Sequence, residues 1–283
     1  MLSAFSPGVT SWRKFGQKIA VAFHAVRRQR PAYPVAMYFV GVDLAWAGRK
    51  PTGVAVLDSD GRLVHLGAVR DDEAVLAALS PYVQGDCLVA FDAPLVVTNP
   101  TGQRPAEAAL NRDFRRFEAG AHPANTAKPE FADAPRGARL ALALGLDMDP
   151  LSSAARRAIE VYPHPATVVL FRLARTLKYK AKPGRDVARL RSELTLLMDG
   201  IDKLAHAPVP LNVAGDDWAQ LRRLVVSAQR KSELRRAEDP VDAVVCAYVA
   251  LYAQRCPAGI TIYGDFATGY IVTPSLPPEL GRP

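Results

Sequence analysis

The sequence predicts an α/β protein with one mixed β-sheet flanked by helices. Three observations lead to this class. Three short apolar segments follow one another between residues 38 and 69 and predict an antiparallel meander. A helical pattern separates them from a fourth apolar segment, and further apolar segments alternate with helical patterns toward the end of the chain. Strands that are joined through helices pair in parallel, so both kinds of pairing are expected.

Three closely spaced segments predict the meander. They are YFVGVDLAW (38–46), TGVAVLD (52–58) and RLVHLGAV (62–69). The first is almost continuously apolar, as in strands that are covered on both faces. Asp60 and Gly61 supply turn residues between the second and third segments. The next segment, DDEAVLAALSPYV (71–83), has acids in its first turn and apolar residues at helical spacing, so it predicts a crossover helix.

The rest of the chain continues the alternation. DCLVAFDAP (86–94) predicts a buried strand that ends at Pro94, and RRAIEVYPHP (156–165) predicts another strand with a proline stop. Between them, residues 95–150 hold scattered Pro and Gly and one helical pattern over 105–120, which indicates a long insertion over one end of the sheet. Further helical patterns cover 165–171, 187–204, 218–236 and 238–255, and two strands are predicted within 259–274.

The basic charge of the chain is concentrated at its N-terminus. The 283 residues carry 36 Lys and Arg against 28 Asp and Glu, a formal charge of +8. Six basic residues and no acid lie in residues 1–42, which leaves 30 basic and 28 acidic residues elsewhere. Residues 1–36 are interpreted as a basic N-terminal extension and residues 37–283 as a single domain. The extension is expected to be disordered, or upstream sequence from a misplaced start before Met37; an amphipathic surface helix and a targeting peptide are alternatives.

The composition argues against two other classes. No segment approaches the roughly 20 uninterrupted apolar residues of a membrane span, so no membrane partner is expected. The three cysteines form no Cys-x-x-Cys pair, and no His/Cys cluster has the spacing of a zinc site. A cytoplasmic location, where thiols stay reduced, fits this cysteine usage.

Acidic residues interrupt three of the predicted strands. Asp43, Asp92 and Glu160 each lie in an apolar segment, near its carboxyl end. A carboxylate at such a position is costly unless a partner stabilises it. Open α/β sheets bind ligands at the carboxyl ends of their strands. If the three strands are neighbours, their carboxylates are expected to converge at that edge.

The late helix brings candidates of the same kind. Glu238 and Asp242 are spaced i, i+4, and Asp239 and Asp242 are spaced i, i+3, so they can share one helical face. Converging carboxylates repel and raise one another's pKa values, a cost that a divalent cation removes. Ligation by oxygen alone favours Mg²⁺ or Mn²⁺ over zinc. Two such ions about 3.5 to 4 Å apart would form the clamp that enzymes use to cleave phosphodiesters.

Each acid also has a structural interpretation. Asp239 precedes Pro240 and is a good helix N-cap, and Asp242 would then favour the helix dipole in the first turn. Asp92 could cap the loop that begins at Ala93. For any single acid these interpretations are as strong as the functional one. Three acids in three apolar strands together favour a shared site.

Basic residues and one histidine complete the candidates. Arg112 and Arg116 lie at helical spacing in NRDFRRFEAG, and Lys180 and Lys182 lie in KYKAKPGR. These side chains could contact substrate phosphates, or they could form a solvated charged face, which is the commoner role. His164 stands between two prolines and could serve as a general acid near a leaving group or as a structural residue.

Six ordered motifs resemble those of a known family: GVDLAW, FDAP, NRDFRR, IEVYPHP, EDPVDAVVCAYVA and GYIVTP. Over residues 37–274 the sequence resembles the bacterial and archaeal family called domain of unknown function 429, whose members are predicted to be nucleases of the ribonuclease H fold. The resemblance implies a ribonuclease H-like sheet and places metal-binding acids at Asp43, Asp92 and Asp242. Glu160 matches the family's glutamate before its Tyr-Pro motif, although ordinary ribonucleases H carry their Glu on a helix.

Three functions compete on these observations. The leading one is a nuclease or phosphodiesterase that depends on Mg²⁺ or Mn²⁺ and acts on nucleic acid or another phosphoester. Its catalytic and metal-binding residues would be Asp43, Asp92, Asp242 and Glu160. An ATP-dependent phosphotransferase of the actin and sugar-kinase type requires Gly-rich phosphate loops, and the chain has no Gly-Gly pair and no Walker-type loop. A non-catalytic binding or regulatory module would keep the acids as structure. The exact substrate and the oligomeric state stay open.

Overall fold

Five strands form one mixed sheet in the part of the chain that the structure describes. The structure, a computed structural model, describes residues 37–45 and 51–281, and the extension predicted over residues 1–36 lies outside them. The strands of the sheet are β1 (Tyr38–Asp43), β2 (Thr52–Leu57), β3 (Leu63–Val69), β4 (Cys87–Phe91) and β5 (Arg156–Glu160). A separate antiparallel hairpin contains β6 (Ile260–Asp265) and β7 (Gly269–Pro274).

The strand order β3-β2-β1-β4-β5 confirms the predicted mixed sheet. β1 pairs antiparallel with β2, and β2 pairs antiparallel with β3, so the predicted meander is present. β4 lies parallel to β1 on its other side, and β5 lies parallel to β4. Gly61 has a φ of +78° in the turn between β2 and β3, a conformation that favours glycine. This arrangement of strands is consistent with a ribonuclease H-like fold.

The helices follow the predicted alternation with the strands. Their bounds are α1 (Asp72–Leu79), α2 (Pro105–Phe114), α3 (Arg136–Ala143), α4 (Pro163–Leu170), α5 (Val187–Lys203), α6 (Asp216–Ser227), α7 (Lys231–Arg255) and α8 (Pro278–Gly281). α7 crosses β1, β2 and β4 on one face of the sheet, and α5 and α6 pack on α7 in turn. In the described ranges no helix combines the length and the apolar character that crossing a membrane requires.

The boundary between the last two long helices differs from the prediction. α6 ends at Ser227 and α7 begins at Lys231, earlier than the sequence pattern indicated. Glu233 fixes this start, because its carboxylate accepts hydrogen bonds from the backbone N–H groups of Gln229 at 2.8 Å and Arg230 at 3.1 Å. The first N–H groups of a helix have no partners within it, so such contacts stabilise the terminus.

Pro240 consequently lies inside α7 and not at its start. The N-cap role predicted for Asp239 is therefore wrong, because the helix has already run for about two turns at that point. Pro240 has no N–H to donate to the carbonyl of Arg236, which costs stability in a helix interior. Close packing offsets this cost, since a Cβ on Gly53 of β2 would lie 1.9 Å from the Asp239 carbonyl oxygen.

α7 touches the sheet through its backbone. A Cβ on Gly41 of β1 would lie 1.9 Å from the carbonyl oxygen of Ala243, so a larger residue would push the helix away. Residues 241–251 of the helix are all buried, between the sheet and the helices α5 and α6. As a result Asp242, the neighbour of Ala243, is held beside the end of β1.

The predicted insertion over residues 95–150 contains α2, α3 and irregular backbone. Leu110 and Phe114 of α2 pack with Tyr263 and Ile271 of the β6–β7 hairpin in a second apolar cluster. The insertion thus rests on the hairpin, close to the carboxyl end of β5, where Val161 forms a bridge with β7.

Candidate active site

Three acidic side chains reach the carboxyl edge of the parallel strands from separate elements. Asp43 is the last residue of β1, and Asp92 follows β4 directly. The backbone N–H of Asp92 donates to the carbonyl of Val42 at 2.9 Å, which fixes the two strand ends side by side. Asp242 reaches the same edge from α7, through the contact of that helix with Gly41. The structure thus brings these three predicted acids into electrostatic contact.

The ammonium group of Lys180 lies among these acids. Its Nζ is 2.6 Å from Asp242 Oδ2 and 3.4 Å from Asp43 Oδ2. Asp92 is a further electrostatic neighbour of the same ammonium. Burial acts to lower the pKa of Lys180, but the carboxylates, Asp242 foremost, raise it well above its usual value. Lys180 is therefore a permanently charged counter-ion of the acids.

Asp242 is the most deeply buried of the three acids, with 1% of its surface exposed. The hydroxyl of Tyr179, the residue before Lys180, donates to Asp242 Oδ1 at 2.5 Å. No donor in the described residues is aligned for a hydrogen bond on Asp242 Oδ2, although Lys180 Nζ is 2.6 Å away. This contact is an ion pair without hydrogen-bond geometry. One short segment supplies both a donor and a cation to Asp242.

Burial dominates the protonation of the centre. Desolvation raises the pKa of Asp43 well above its ordinary value of 3.8, and it raises the pKa of Asp92 to about 7. Lys180 acts against this rise, and the neighbouring carboxylates, Asp242 foremost, add to it. The ionised acids would therefore be stabilised by any further positive charge that enters the centre.

The Lys180 segment, residues 178–182, is fixed by two other carboxylates. The backbone N–H of Lys178 donates to Glu193 Oε2 at 2.8 Å, and that of Ala181 donates to Glu238 Oε1 at 3.3 Å. The structure thus places Glu238, a predicted candidate on α7, against the segment that carries the lysine. Burial raises the pKa of Glu238 to about 7.

The centre in this arrangement does not fit a divalent metal ion. Within residues 37–45 and 51–281, no three Asp, Glu, His or Cys side chains are grouped so that they could hold one. The donors are of the oxygen type that Mg²⁺ and Mn²⁺ prefer. However, the ammonium of Lys180 stands between Asp43 and Asp242. A side chain of the protein itself balances part of the negative charge.

Glu160 belongs to a different cluster, which also contains Arg104 and Glu107. Two guanidinium nitrogens of Arg104 donate to the two carboxylate oxygens of Glu160, at 2.9 Å and 2.5 Å. The backbone N–H of Leu95 donates to Glu160 Oε2 at 3.0 Å, and Arg104 Nε donates to Glu107 Oε1 at 2.9 Å. All three charged side chains are buried. The carboxylate that was predicted to bind metal is therefore already paired with a guanidinium.

Sequence patterns did not reveal the role of Arg104. Its own backbone N–H donates to Glu107 Oε2 at 3.0 Å, at the start of α2. A Glu three residues after the residue that precedes a helix is a recognised start signal, so Glu107 could have been found. No local signal connects Arg104 with Glu160, which is 56 residues away in the chain.

His164 lies in α4, between two tyrosines. Its ring centroid is 5.4 Å from that of Tyr162 and 5.8 Å from that of Tyr179, and its Nδ1 is 3.3 Å from the Thr176 hydroxyl oxygen. Burial lowers the pKa of His164 to about 4. At neutral pH the ring is uncharged, which disfavours the predicted general-acid role. The contacts support a packing role for His164 against Tyr179, which donates a hydrogen bond to Asp242.

The other basic candidates do not approach the acids. Arg112, Arg116 and Lys182 are exposed, and within the described residues none of them pairs with an acid of the centre. The guanidinium of Arg116 lies over the ring of Phe117, 4.6 Å from its centroid. Among the predicted phosphate contacts, Lys180 differs, because it faces the acids.

A cavity of about 540 Å³ lies between β3, α6 and the start of α7. Its lining includes Asp239, which is also an electrostatic neighbour of Asp43. Ala68 of β3 lines the cavity and pairs across the sheet with Gly53 of β2, which pairs with Asp43 of β1. The cavity is therefore at the same edge of the sheet as Asp43. Three exposed arginines that form no ion pair within the described ranges also line it: Arg70, Arg235 and Arg236.

The fold and the centre define the class of this protein. It is an α/β protein whose mixed five-stranded sheet is consistent with a ribonuclease H-like fold, with an acidic centre at the carboxyl ends of β1 and β4. The chain belongs to the family described as protein of unknown function (DUF429), which it matches over residues 41–266. No curated protein and no solved structure matches it.

Proposed function

We propose that the protein hydrolyses phosphodiester bonds of nucleic acid at the centre formed by Asp43, Asp92, Asp242 and Lys180. The observation that carries the proposal is the convergence of three acids around one ammonium at the edge where α/β sheets bind ligands. Each buried carboxylate costs stability, so a purely structural purpose would be served better by fewer of them. Groups of mutually perturbed acids are typical of functional sites.

Asp92 is the acid best placed to act on a water molecule. It is half-buried, and within the described residues its carboxylate accepts no hydrogen bond. Asp242, in contrast, is occupied by Tyr179 and Lys180. A carboxylate whose pKa lies near the operating pH is an efficient proton acceptor. We assign Asp92 as the general base. Asp43 and Asp242 hold the Lys180 ammonium beside it.

The anionic substrate requires more positive charge than Lys180 provides. When the three carboxylates ionise, one ammonium does not balance their charge, and a phosphodiester would be repelled. Mg²⁺ or Mn²⁺ is the cofactor that the oxygen donors favour. The arrangement with Lys180 in place does not fit such an ion, so in the wild type the exposed arginines of the cavity would supply the further positive charge. Metal dependence is therefore a separate, testable part of the proposal.

The arginine-lined cavity supports nucleic acid as the substrate class. The guanidinium groups of Arg70, Arg235 and Arg236 carry no partner that would compete with a phosphate within the described residues. Leu66 and Leu221 add apolar surface against which sugars and bases can pack. We propose that the backbone of the nucleic acid runs through this cavity toward the acids at the same edge of the sheet.

A gel assay on labelled single-stranded, duplex and branched DNA and on RNA tests the proposal, with Mg²⁺, Mn²⁺ or EDTA. We expect cleavage by the wild type and a loss of at least about 100-fold in Asp92→Asn, because a base contributes that much to the rate. Asp43→Asn should lose activity as well, and the exposed control Asp133→Asn should not. Cleavage at the wild-type rate by Asp92→Asn contradicts the mechanism. Absence of cleavage by the wild type favours a binding module.

The same assay can identify the residues that hold the backbone. Arg235→Gln combined with Arg236→Gln should weaken binding and make it less sensitive to salt, since each lost phosphate contact reduces the salt slope by roughly one. The matched control is Arg112→Gln combined with Arg116→Gln, which removes the two exposed arginines of the insertion. A larger effect of the control would place the backbone on the insertion and not in the cavity.

A cytoplasmic location is also part of the proposal. The cysteines of the described residues, Cys87, Cys246 and Cys256, are free thiols. Free thiols are stable in a reducing compartment, which is also where intracellular nucleic acid would be the substrate.

A further inference from the structure

We propose that Lys180 replaces a divalent cation in the centre, and that a metal site between Asp43 and Asp242 forms only when its ammonium is removed. The proposal rests on the proposed function for the role of the acids. Its tests measure metal binding and stability, not cleavage. Three observations carry it: the position of the ammonium, the state of the buried acids, and the way in which the Lys180 segment is fixed.

The first observation is the position of the ammonium. Lys180 Nζ contacts carboxylate oxygens from two different elements, at 3.4 Å on β1 and at 2.6 Å on α7. A divalent ion that bridged Asp43 and Asp242 would need the same space, because its ligands lie at about 2.0 to 2.6 Å. The two cations would also repel each other strongly at this depth. The two are therefore expected to be mutually exclusive.

The second observation concerns the buried acids. Asp43 is 7% exposed and Asp242 is 1% exposed, so neither relies on water for stabilisation. Asp242 Oδ2 is buried and has no aligned hydrogen-bond donor in the described part of the chain. A carboxylate oxygen in that state is costly unless a cation neutralises it. The ammonium supplies the charge but leaves an oxygen lone pair that a metal ion could use.

The third observation is that the Lys180 segment is tied on both sides of the lysine. Tyr179 donates its hydroxyl to an acid of α7 at 2.5 Å, and the backbone N–H of Ala181 donates to another at 3.3 Å. Arg185 Nη1 donates to the carbonyl oxygen of Lys180 at 2.8 Å. These contacts direct the lysine side chain into the centre through its backbone, so its position is part of the fold.

The test compares Lys180→Met with Lys182→Met. Methionine keeps an unbranched apolar side chain without the charge, and Lys182 is an exposed lysine two residues away. Each protein is titrated with Mn²⁺ and Mg²⁺ by calorimetry and is melted in EDTA and in Mn²⁺. We expect Lys180→Met to bind Mn²⁺ at least roughly tenfold more tightly than wild type or Lys182→Met. Its melting temperature should fall in EDTA and recover with Mn²⁺, because binding to the folded state stabilises it.

Two results would overturn the proposal: wild type that binds Mn²⁺ as tightly as Lys180→Met, and Lys180→Met that binds no more tightly than Lys182→Met. If Lys180→Met does not fold in EDTA, its far-ultraviolet circular dichroism is followed while Mn²⁺ is added. Recovery of the wild-type spectrum supports the proposal, and no recovery overturns it.

The double variant Lys180→Met with Asp43→Asn locates the ion. It should lose the gained Mn²⁺ binding, because one of the two bridging carboxylates is gone. Retention of the gained affinity would place the ion elsewhere and overturn the proposal. None of these measurements depends on cleavage, so a failure of the metal proposal leaves the hydrolysis proposal intact, and a protein without hydrolysis can still show the metal effect.

Discussion

Two buried clusters stand near the carboxyl ends of neighbouring strands and differ in how completely their polar atoms are paired. In the Arg104 cluster (Arg104, Glu107 and Glu160), every guanidinium nitrogen donates to a carboxylate oxygen or to a backbone carbonyl. In the Lys180 cluster (Asp43, Asp92, Asp242 and Lys180), the described residues leave one Asp242 oxygen without an aligned donor and the Asp92 carboxylate without a hydrogen bond. Both clusters combine a cation with buried acids, so burial alone does not separate them.

The difference in pairing distinguishes an ion pair that holds the fold from a centre that can bind. Arg104 also donates to the carbonyl of Val96 at 2.9 Å, so its cluster ties the insertion to the end of β5. A fully paired network makes a structure rigid, and it has no capacity left for a ligand. The Lys180 cluster keeps unused carboxylate oxygens on Asp242 and Asp92, which is the arrangement expected of a functional site.

The largest expected effect comes from breaking the Arg104 cluster. Arg104→Met removes the cation and leaves Glu107 and Glu160 buried without a charged partner. We expect the free energy of unfolding to fall by about 3–5 kcal/mol, as for other buried pairs that lose one member. Urea unfolding measures the change. The control is Arg112→Met, at an exposed arginine of the same helix region, for which a change within about 0.5 kcal/mol is expected.

A smaller change for Arg104→Met, within the range of the control, would mean that solvent or rearrangement supplies the missing charge. The Arg104 cluster would then not be structural, and Glu160 would return as a candidate for the centre. Complete pairing of polar atoms would then not identify the Arg104 cluster as structural.

An intermediate effect is expected from pH, through His164 beside the Lys180 segment. Burial lowers its pKa to about 4 from an ordinary 6.5, so the unfolded state binds more protons between these values. The stability that this group contributes is present above about pH 6.5 and is lost as the pH falls toward 4, by at most roughly 3 kcal/mol. Urea unfolding of wild type and His164→Gln across this range isolates the effect. Equal pH slopes in the two proteins would show that the histidine is not desolvated.

The sheet could be predicted because its signals are local. The apolar run of β1, the turn at Gly61 and the proline stops after β4 and β5 each lie within a few residues of the element that they define. The start of α7 could not be predicted in the same way. Pro240 favours a helix start in isolation, and its place inside α7 depends on the contact between Gly53 and the Asp239 carbonyl, which only the folded chain contains.

The site was predictable to a similar extent. Apolar strands with an embedded acid pointed to Asp43 and Asp92, and both lie at the expected edge of the sheet. The same signal pointed equally to Glu160, because a strand pattern does not show which cation an acid will meet. Lys180 was interpreted as a possible phosphate contact, since nothing near it in the sequence indicates that it faces acids 137 residues earlier and 62 residues later.

The smallest effect on stability is expected from Asp43→Asn. Its free energy of unfolding is best compared with that of Glu160→Gln, the equivalent change in the Arg104 cluster. The pKa of Asp43 is raised well above 3.8, mainly by burial, so the folded protein disfavours its ionised form relative to the unfolded chain. Because the folded state holds the proton more tightly, the stability from Asp43 falls as the pH rises above 3.8. Asparagine removes this loss, and we expect an unfolding free energy that is unchanged or higher by up to about 1 kcal/mol.

Glu160→Gln should instead lower the unfolding free energy by about 2 kcal/mol, because the buried guanidinium of Arg104 loses a charged partner. Urea unfolding of both variants at pH 5 and pH 8 gives the comparison, and the difference between Asp43→Asn and wild type should grow at the higher pH. If Asp43→Asn were destabilised as much as Glu160→Gln, the carboxylate of Asp43 would be a structural partner of Lys180. The two clusters would then be ion pairs of the same kind, and unused polar atoms would not distinguish a functional centre from a structural one.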